Sequence, residues 1–79
     1  MPLTPTQRVA AAVAHALDVA EASLNSTATA TDIPYSTLRR KVRGAGDFTL
    51  PELLAIAEHI GVNPGVFFDA ALATGTDAA

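Results

Sequence analysis

The stretch that decides the fold runs from Ala28 to Gly44 and reads ATATDIPYSTLRRKVRG. Ile33-Pro34 interrupts it, because the residue before a proline avoids the α region. The residues after the proline predict a helix over Tyr35–Arg43, and Gly44 is typical of the left-handed residue that closes a helix. The segment before the interruption, Thr27–Thr31, has low helix propensity and by itself indicates a loop.

Several signals upstream of the interruption favour a short helix over a loop. Ser23, Asn25 and Ser26 are all plausible N-caps. Because the flanking segments are helical, the sequence predicts that Thr27–Thr31 forms a short helix, so that two helices meet at a tight turn.

Earlier in the chain, Thr4-Pro5-Thr6-Gln7 combines an N-cap, a proline at the first helical position and a capping box, which predicts a helix over residues 5–22. Thr49 and Glu52 form a second capping box, and Gly61 ends the helix that they begin. Asn63-Pro64 starts a last helix that extends to about residue 72.

These segments predict an all-α, five-helix domain over residues 1–72. No strand-like alternation is present, and alanine favours helices. The small, polar segment 73–79 is predicted to be a disordered tail.

The composition limits the classes of function. The chain has 79 residues and no cysteine, so it has room for one small domain and lacks disulfides and thiolate metal ligands. No apolar run is long enough for a membrane span, and the first residues lack the order of a signal peptide. We expect a cytoplasmic protein of a bacterial host cell, with no membrane partner.

The net charge of −3 conceals an asymmetric distribution. Four of the five basic residues lie between Ile33 and Gly46, where there is no acid, so this stretch carries +4 and the rest of the chain −7. On a helical wheel, Ser36, Arg39, Arg40 and Arg43 share one arc, and Leu38 and Val42 lie on the opposite side with Tyr35 at the edge. An arginine-rich face of this kind suits phosphates and guanine edges.

The stretch from Ala28 to Arg40 resembles the helix-turn-helix of the phage repressor and Cro family. The later segments, Phe48–Ala57 and Ile60–Pro64, are similar to the fourth and fifth helices of that five-helix fold. Three positions depart from the family pattern. Asp32 stands where the family prefers glycine, Lys41 stands where a second apolar residue is common, and Leu24 stands near where a polar residue often contacts phosphate.

The resemblance implies DNA contacts for the polar residues of the third helix. Base contacts are expected from Tyr35, Ser36, Arg39 and Arg40, although packing at the rim of the core is an equal alternative for Tyr35. Phosphate contacts are expected from Arg43, Thr37 and Lys41. The adjacent residues Phe67 and Phe68 cannot face the same way, so one is expected in the core and the other is a candidate for a dimer contact.

The function predicted in this way is sequence-specific binding of double-stranded DNA at a palindromic operator. The protein would act as a transcriptional repressor or Cro-like regulator, of a phage or prophage, and would form a weak homodimer. We expect no enzyme, cofactor or metal, because His15 and His59 fall on exposed helix faces without ligand spacing. The alternative is an antitoxin-like or adaptor module whose main partner is a protein.

Overall fold

The structure is a computed structural model that describes residues 3–72. It confirms an all-α, five-helix fold for that part of the chain. The helices are α1 (Pro5–Val19), α2 (Leu24–Thr31), α3 (Tyr35–Val42), α4 (Leu50–Ile60) and α5 (Gly65–Leu72). The predicted tail, residues 73–79, lies outside the described residues.

The predicted starts of α1 and α4 are confirmed by side-chain hydrogen bonds. Thr4 and Thr49 each form a complete capping box, with Gln7 and Glu52 at the third helical position. Ser23 caps α2 by accepting a hydrogen bond from the N–H of Ser26 at 3.0 Å. These local bonds satisfy N–H groups that have no partner within their helix.

The weakly predicted helix α2 begins three residues earlier than expected, at Leu24. Its threonine hydroxyls donate to the carbonyl oxygens one turn back, from Thr27 to Ser23 at 2.8 Å and from Thr31 to Thr27 at 2.7 Å. Thr27 and Ala28 are buried in the core. Packing of Thr27 and Ala28 in the core therefore outweighs the low intrinsic propensity of this segment, and the bond from the Thr27 hydroxyl leaves that buried group satisfied.

Four helices end at a residue in the left-handed conformation: Glu21, Asp32, Gly44 and Gly61. The first of these explains why α1 ends earlier than the predicted residue 22. Glu21 has a φ of 55°, and the N–H of Ala22 donates to the carbonyl of Leu17 at 2.9 Å, so the chain turns away from the helix axis.

Replacing Glu21 with glycine is expected to stabilise the protein by about 0.5–1 kcal/mol. The left-handed conformation costs a residue with a Cβ more than the entropy that glycine loses on folding. Urea unfolding measures the change. Glu58→Gly, the same replacement within α4, is the control and should destabilise by about 1 kcal/mol. A Glu21→Gly variant less stable than the parent would contradict this reason.

The helices pack around a single core, in which α1 contacts α3 and α5 while α2 contacts α3 and α4. Val13, Leu38, Ile56 and Phe67 are completely buried at its centre. Phe67 is therefore the core aromatic and cannot form the predicted dimer contact. Phe68 is half-buried and packs against the same core.

One long-range contact that the sequence did not predict fixes α5 against α1. The Arg8 guanidinium donates to the carbonyl oxygens of Ala70 at 3.1 Å and Ala71 at 3.0 Å, in the last turn of α5. A cation at this position satisfies free carbonyls and complements the negative end of the helix dipole. Arg8 is the one basic residue outside the stretch from Ile33 to Gly46, and its charge stabilises the packing of α5 against α1.

Candidate nucleic-acid interface

Helix α3 lies at the surface because only one of its sides is apolar. Leu38 is completely buried and Val42 is half-buried against the core. Pro34 precedes the helix with an extended backbone and forms no side-chain cap. The Schellman-type end at Gly44, whose N–H donates to the Lys41 carbonyl at 2.9 Å, places Arg43 on the last turn.

The opposite side of α3 presents most of the predicted contact residues together. Tyr35, Ser36, Arg39, Arg40 and Arg43 are all exposed. With Ala45 they line a shallow, open depression of about 270 Å³. We call this surface the α3 face. Tyr35 is 47% exposed and lines this depression, so its side chain is accessible from solvent and not enclosed in the core.

The three arginines of the α3 face have no acidic partner among residues 3–72. Three like charges on so short a helix repel one another, and no carboxylate reduces that repulsion. Such a surface is most favourable when a polyanion supplies the missing negative charge.

Arg40 lies against the loop that follows α3. A Cβ placed on Gly46 would lie 3.6 Å from the Arg40 Nε. The guanidinium therefore lies in contact range of Gly46, at a distance that a small side chain would also tolerate. Sequence reasoning assigned no role to Gly46, because no local pattern relates it to an arginine side chain.

Two residues predicted to contact phosphate do not lie on the α3 face. Thr37 is half-buried and does not line the depression. The Lys41 ammonium lies 2.7 Å and 2.9 Å from the two carboxylate oxygens of Glu52 on α4. Because this ion pair already uses the ammonium, Lys41 adds no unpaired charge to the α3 face.

The Glu52 carboxylate also accepts a hydrogen bond from the N–H of Thr49 at 2.8 Å. Burial alone raises the pKa of Glu52, but the hydrogen bonds from Lys41 and Thr49 and the Lys41 charge together hold that pKa below its usual value. The sequence predicted the capping box but not Lys41, which lies on another helix.

The lowered pKa predicts a specific loss of stability in acid. Glu52 binds its proton more readily in the unfolded chain, so the stability that its charge provides is complete above about pH 4.3 and is lost as the pH falls through the folded-state pKa. The free energy of unfolding of the parent should therefore approach that of Glu52→Gln on acidification. Urea unfolding between pH 6 and 3 measures the difference, with Glu58→Gln as the control. A constant difference across this range would contradict the assignment.

The remaining candidates for chemistry lie apart from the α3 face. His15 and His59 are both exposed, and no group of three potential metal ligands occurs among the described residues. No helix within residues 3–72 has the length and apolar character needed to cross a membrane.

A second concavity, of about 380 Å³, is mainly apolar. We call it the α1/α5 groove. Its lining comes from the second half of α1, the end of α4 and the start of α5: Ala12, His15, Ala16, Val19, Ala20, Ile60, Val62 and Val66. The groove shares no residue with the α3 face.

The chain matches no family model, and no curated protein and no solved structure is significantly similar to it. The resemblance to phage repressors is therefore a prediction from the sequence alone. The geometry and charge of the α3 face are therefore the structural observations that indicate a function.

Proposed function

We propose that this protein binds double-stranded DNA in a sequence-specific manner by inserting α3 into the major groove. The observation that carries the proposal is the α3 face, where three arginines without acidic partners surround a depression with Tyr35 and Ser36. The rest of the chain is acidic, so a polyanion is attracted to this surface and repelled by the others.

The chemistry of the α3 face suits the edges of base pairs. A guanidinium donates two parallel hydrogen bonds to guanine O6 and N7 or to phosphate oxygens, and a hydroxyl group pairs with several base edges. A helix fits the width of the major groove, and the first residues of a recognition helix usually contact bases. Tyr35 and Ser36 occupy those positions, Arg39 and Arg40 follow, and Arg43 at the end suits the phosphate backbone.

The regulatory role that follows is repression by occlusion. A protein that occupies the major groove at a promoter blocks the polymerase and needs no cofactor. In agreement with the family resemblance, we propose a repressor or Cro-like regulator of a phage or prophage, acting in the bacterial cytoplasm.

A random DNA pool tests the proposal directly. Selection should enrich a defined sequence, and its affinity should fall steeply as salt rises because bound cations are released from the phosphates. The control variant replaces Arg39, Arg40 and Arg43 with glutamine and should lose this binding. An unenriched pool, or binding that is insensitive to salt, would overturn the proposal and favour an adaptor whose partner is a protein.

We also propose that two copies bind DNA together. A single recognition helix reads only about four base pairs, too few to identify one site in a genome. Two-fold pairing solves this problem in helix-turn-helix proteins. The α1/α5 groove suits the contact because Val19 and Val66 are exposed there. Its alanine-rich lining makes the contact small, so the free protein should be a monomer or a weak dimer.

A further inference from the structure

We propose that Lys41 and Glu52 are positioning residues that hold α3 at the correct angle for reading bases, and that Lys41 does not contact phosphate. The inference rests on the proposed function. It concerns a pair of residues that belong to neither the α3 face nor the α1/α5 groove.

The position of Lys41 on its helix supports this role. On the wheel of α3 it lies on the flank beside buried Leu38, away from the three arginines. Its side chain is only 12% exposed, and that of Glu52 is 19% exposed. A phosphate contact would require this ammonium to leave a carboxylate that binds it through both oxygens.

The pair connects two helices that otherwise have little contact. Helix α3 packs mainly on α1 and α2, not on α4. Among residues 3–72, the Lys41–Glu52 pair is the one side-chain hydrogen-bonded link between α3 and α4. The loop between them contains Gly44 and Gly46, which restrict the backbone least.

The carboxylate at the α4 end of the link has a fixed position. Glu52 is the third residue of α4 and its side chain accepts from the Thr49 N–H, while its own N–H donates to the Thr49 hydroxyl at 3.3 Å. The capping box therefore holds the carboxylate, and the carboxylate holds Lys41. A residue that contacts bases needs such support, because an orientation error of about 10–20° is enough to lose a productive contact.

The decisive variant is Lys41→Met combined with Glu52→Gln. It removes one positive and one negative charge, so the net charge of the protein does not change. Glutamine at position 52 preserves the capping box, and methionine preserves the length of the apolar stem. General electrostatic attraction to DNA therefore stays the same while the link between the helices is lost.

The experiment compares binding to the selected duplex with binding to a random-sequence duplex over a range of salt. We expect the double variant to bind the selected duplex about tenfold more weakly, as for the loss of one base contact. Its affinity for random DNA and its salt slope should equal those of the parent. The ratio of the two affinities is the essential readout, because partial unfolding would weaken both equally and leave it unchanged.

The single variant Glu52→Gln separates the two roles of Lys41 by the sign of its effect relative to Glu58→Gln, which removes the same charge elsewhere on α4. Positioning predicts weaker binding to the selected duplex. A phosphate contact predicts tighter binding and a steeper slope, because the ammonium would be released from its partner. Tighter binding by Glu52→Gln with a steeper salt slope would overturn the inference. So would a double variant whose binding to both duplexes is equally weakened and whose salt slope falls by about one unit. A parent that shows no salt-dependent binding would overturn the proposed function first.

Discussion

Arg40→Ala is expected to weaken binding to the selected sequence by about 1–3 kcal/mol and to relax the base preference at one position. Arg40 lies on the exposed face of α3, and its guanidinium lies beside Gly46 of the following loop. A bidentate contact with guanine from this position would discriminate against every other base. Repeating the selection with the variant shows which position of the site loses its preference.

Arg43→Ala is the matched control, because it removes the same side chain from the same face. Arg43 follows the last residue of α3, at the helix end that lies nearer to the phosphate backbone in a major-groove complex. We expect this variant to weaken all duplexes similarly and to lower the salt slope by about one unit. If Arg40→Ala weakens all sequences equally as well, Arg40 is a phosphate contact and its assignment to bases is wrong.

The sequence predicted those parts of the fold that depend on neighbours a few residues apart. The capping boxes at Thr4 and Thr49 and the left-handed ends at Gly44 and Gly61 all use bonds within three to five positions. The α3 face was predicted for the same reason, since the helical period alone places its arginines together.

The contacts that sequence reasoning missed join distant parts of the chain. The Arg8 bonds to the end of α5 span 62 and 63 positions, and the Lys41–Glu52 pair spans 11. Nothing local distinguishes a lysine that faces a carboxylate on another helix from one that faces solvent. The departure of Lys41 from the family pattern was the one available signal, and it did not identify the partner.

The sequence also could not predict which of two adjacent aromatic residues is buried. Phe67 and Phe68 have the same chemistry, and the pattern showed only that one of them is buried. Tertiary packing decides which, because it sets the rotation of α5 against α1. Because Phe67 is buried, the dimer contact that we propose uses exposed aliphatic residues of the α1/α5 groove and not the phenylalanines.

A palindrome whose half-site centres lie about 10–10.5 base pairs apart is expected to bind far more tightly than one half-site, by a factor of about 10²–10⁴. Two recognition helices related by a two-fold axis reach successive major grooves on one side of the duplex at this spacing. Adding about five base pairs, half a helical turn, moves one half-site to the opposite side and should abolish the gain. Binding to duplexes of different spacing measures the effect.

Val66→Gln tests whether the α1/α5 groove forms the contact between the two copies. Val66 is 47% exposed in the groove, and Leu54, on α4 outside the groove, is 44% exposed. Leu54→Gln is therefore a control with the same change in polarity at equal exposure. We expect Val66→Gln to remove the preference for the palindrome while leaving half-site binding unchanged, and Leu54→Gln to change neither.

The free protein should sediment as a monomer at low salt, because the acidic surface outside α3 repels a second copy. Salt has opposite effects on the two contacts. It screens the repulsion between copies, which favours pairing, and it weakens the attraction of arginines to phosphates. Cooperativity should therefore increase with salt while the affinity for a single half-site falls. Tight binding of one half-site by a monomer, with no dependence on spacing, would show that the α1/α5 groove has no part in DNA binding.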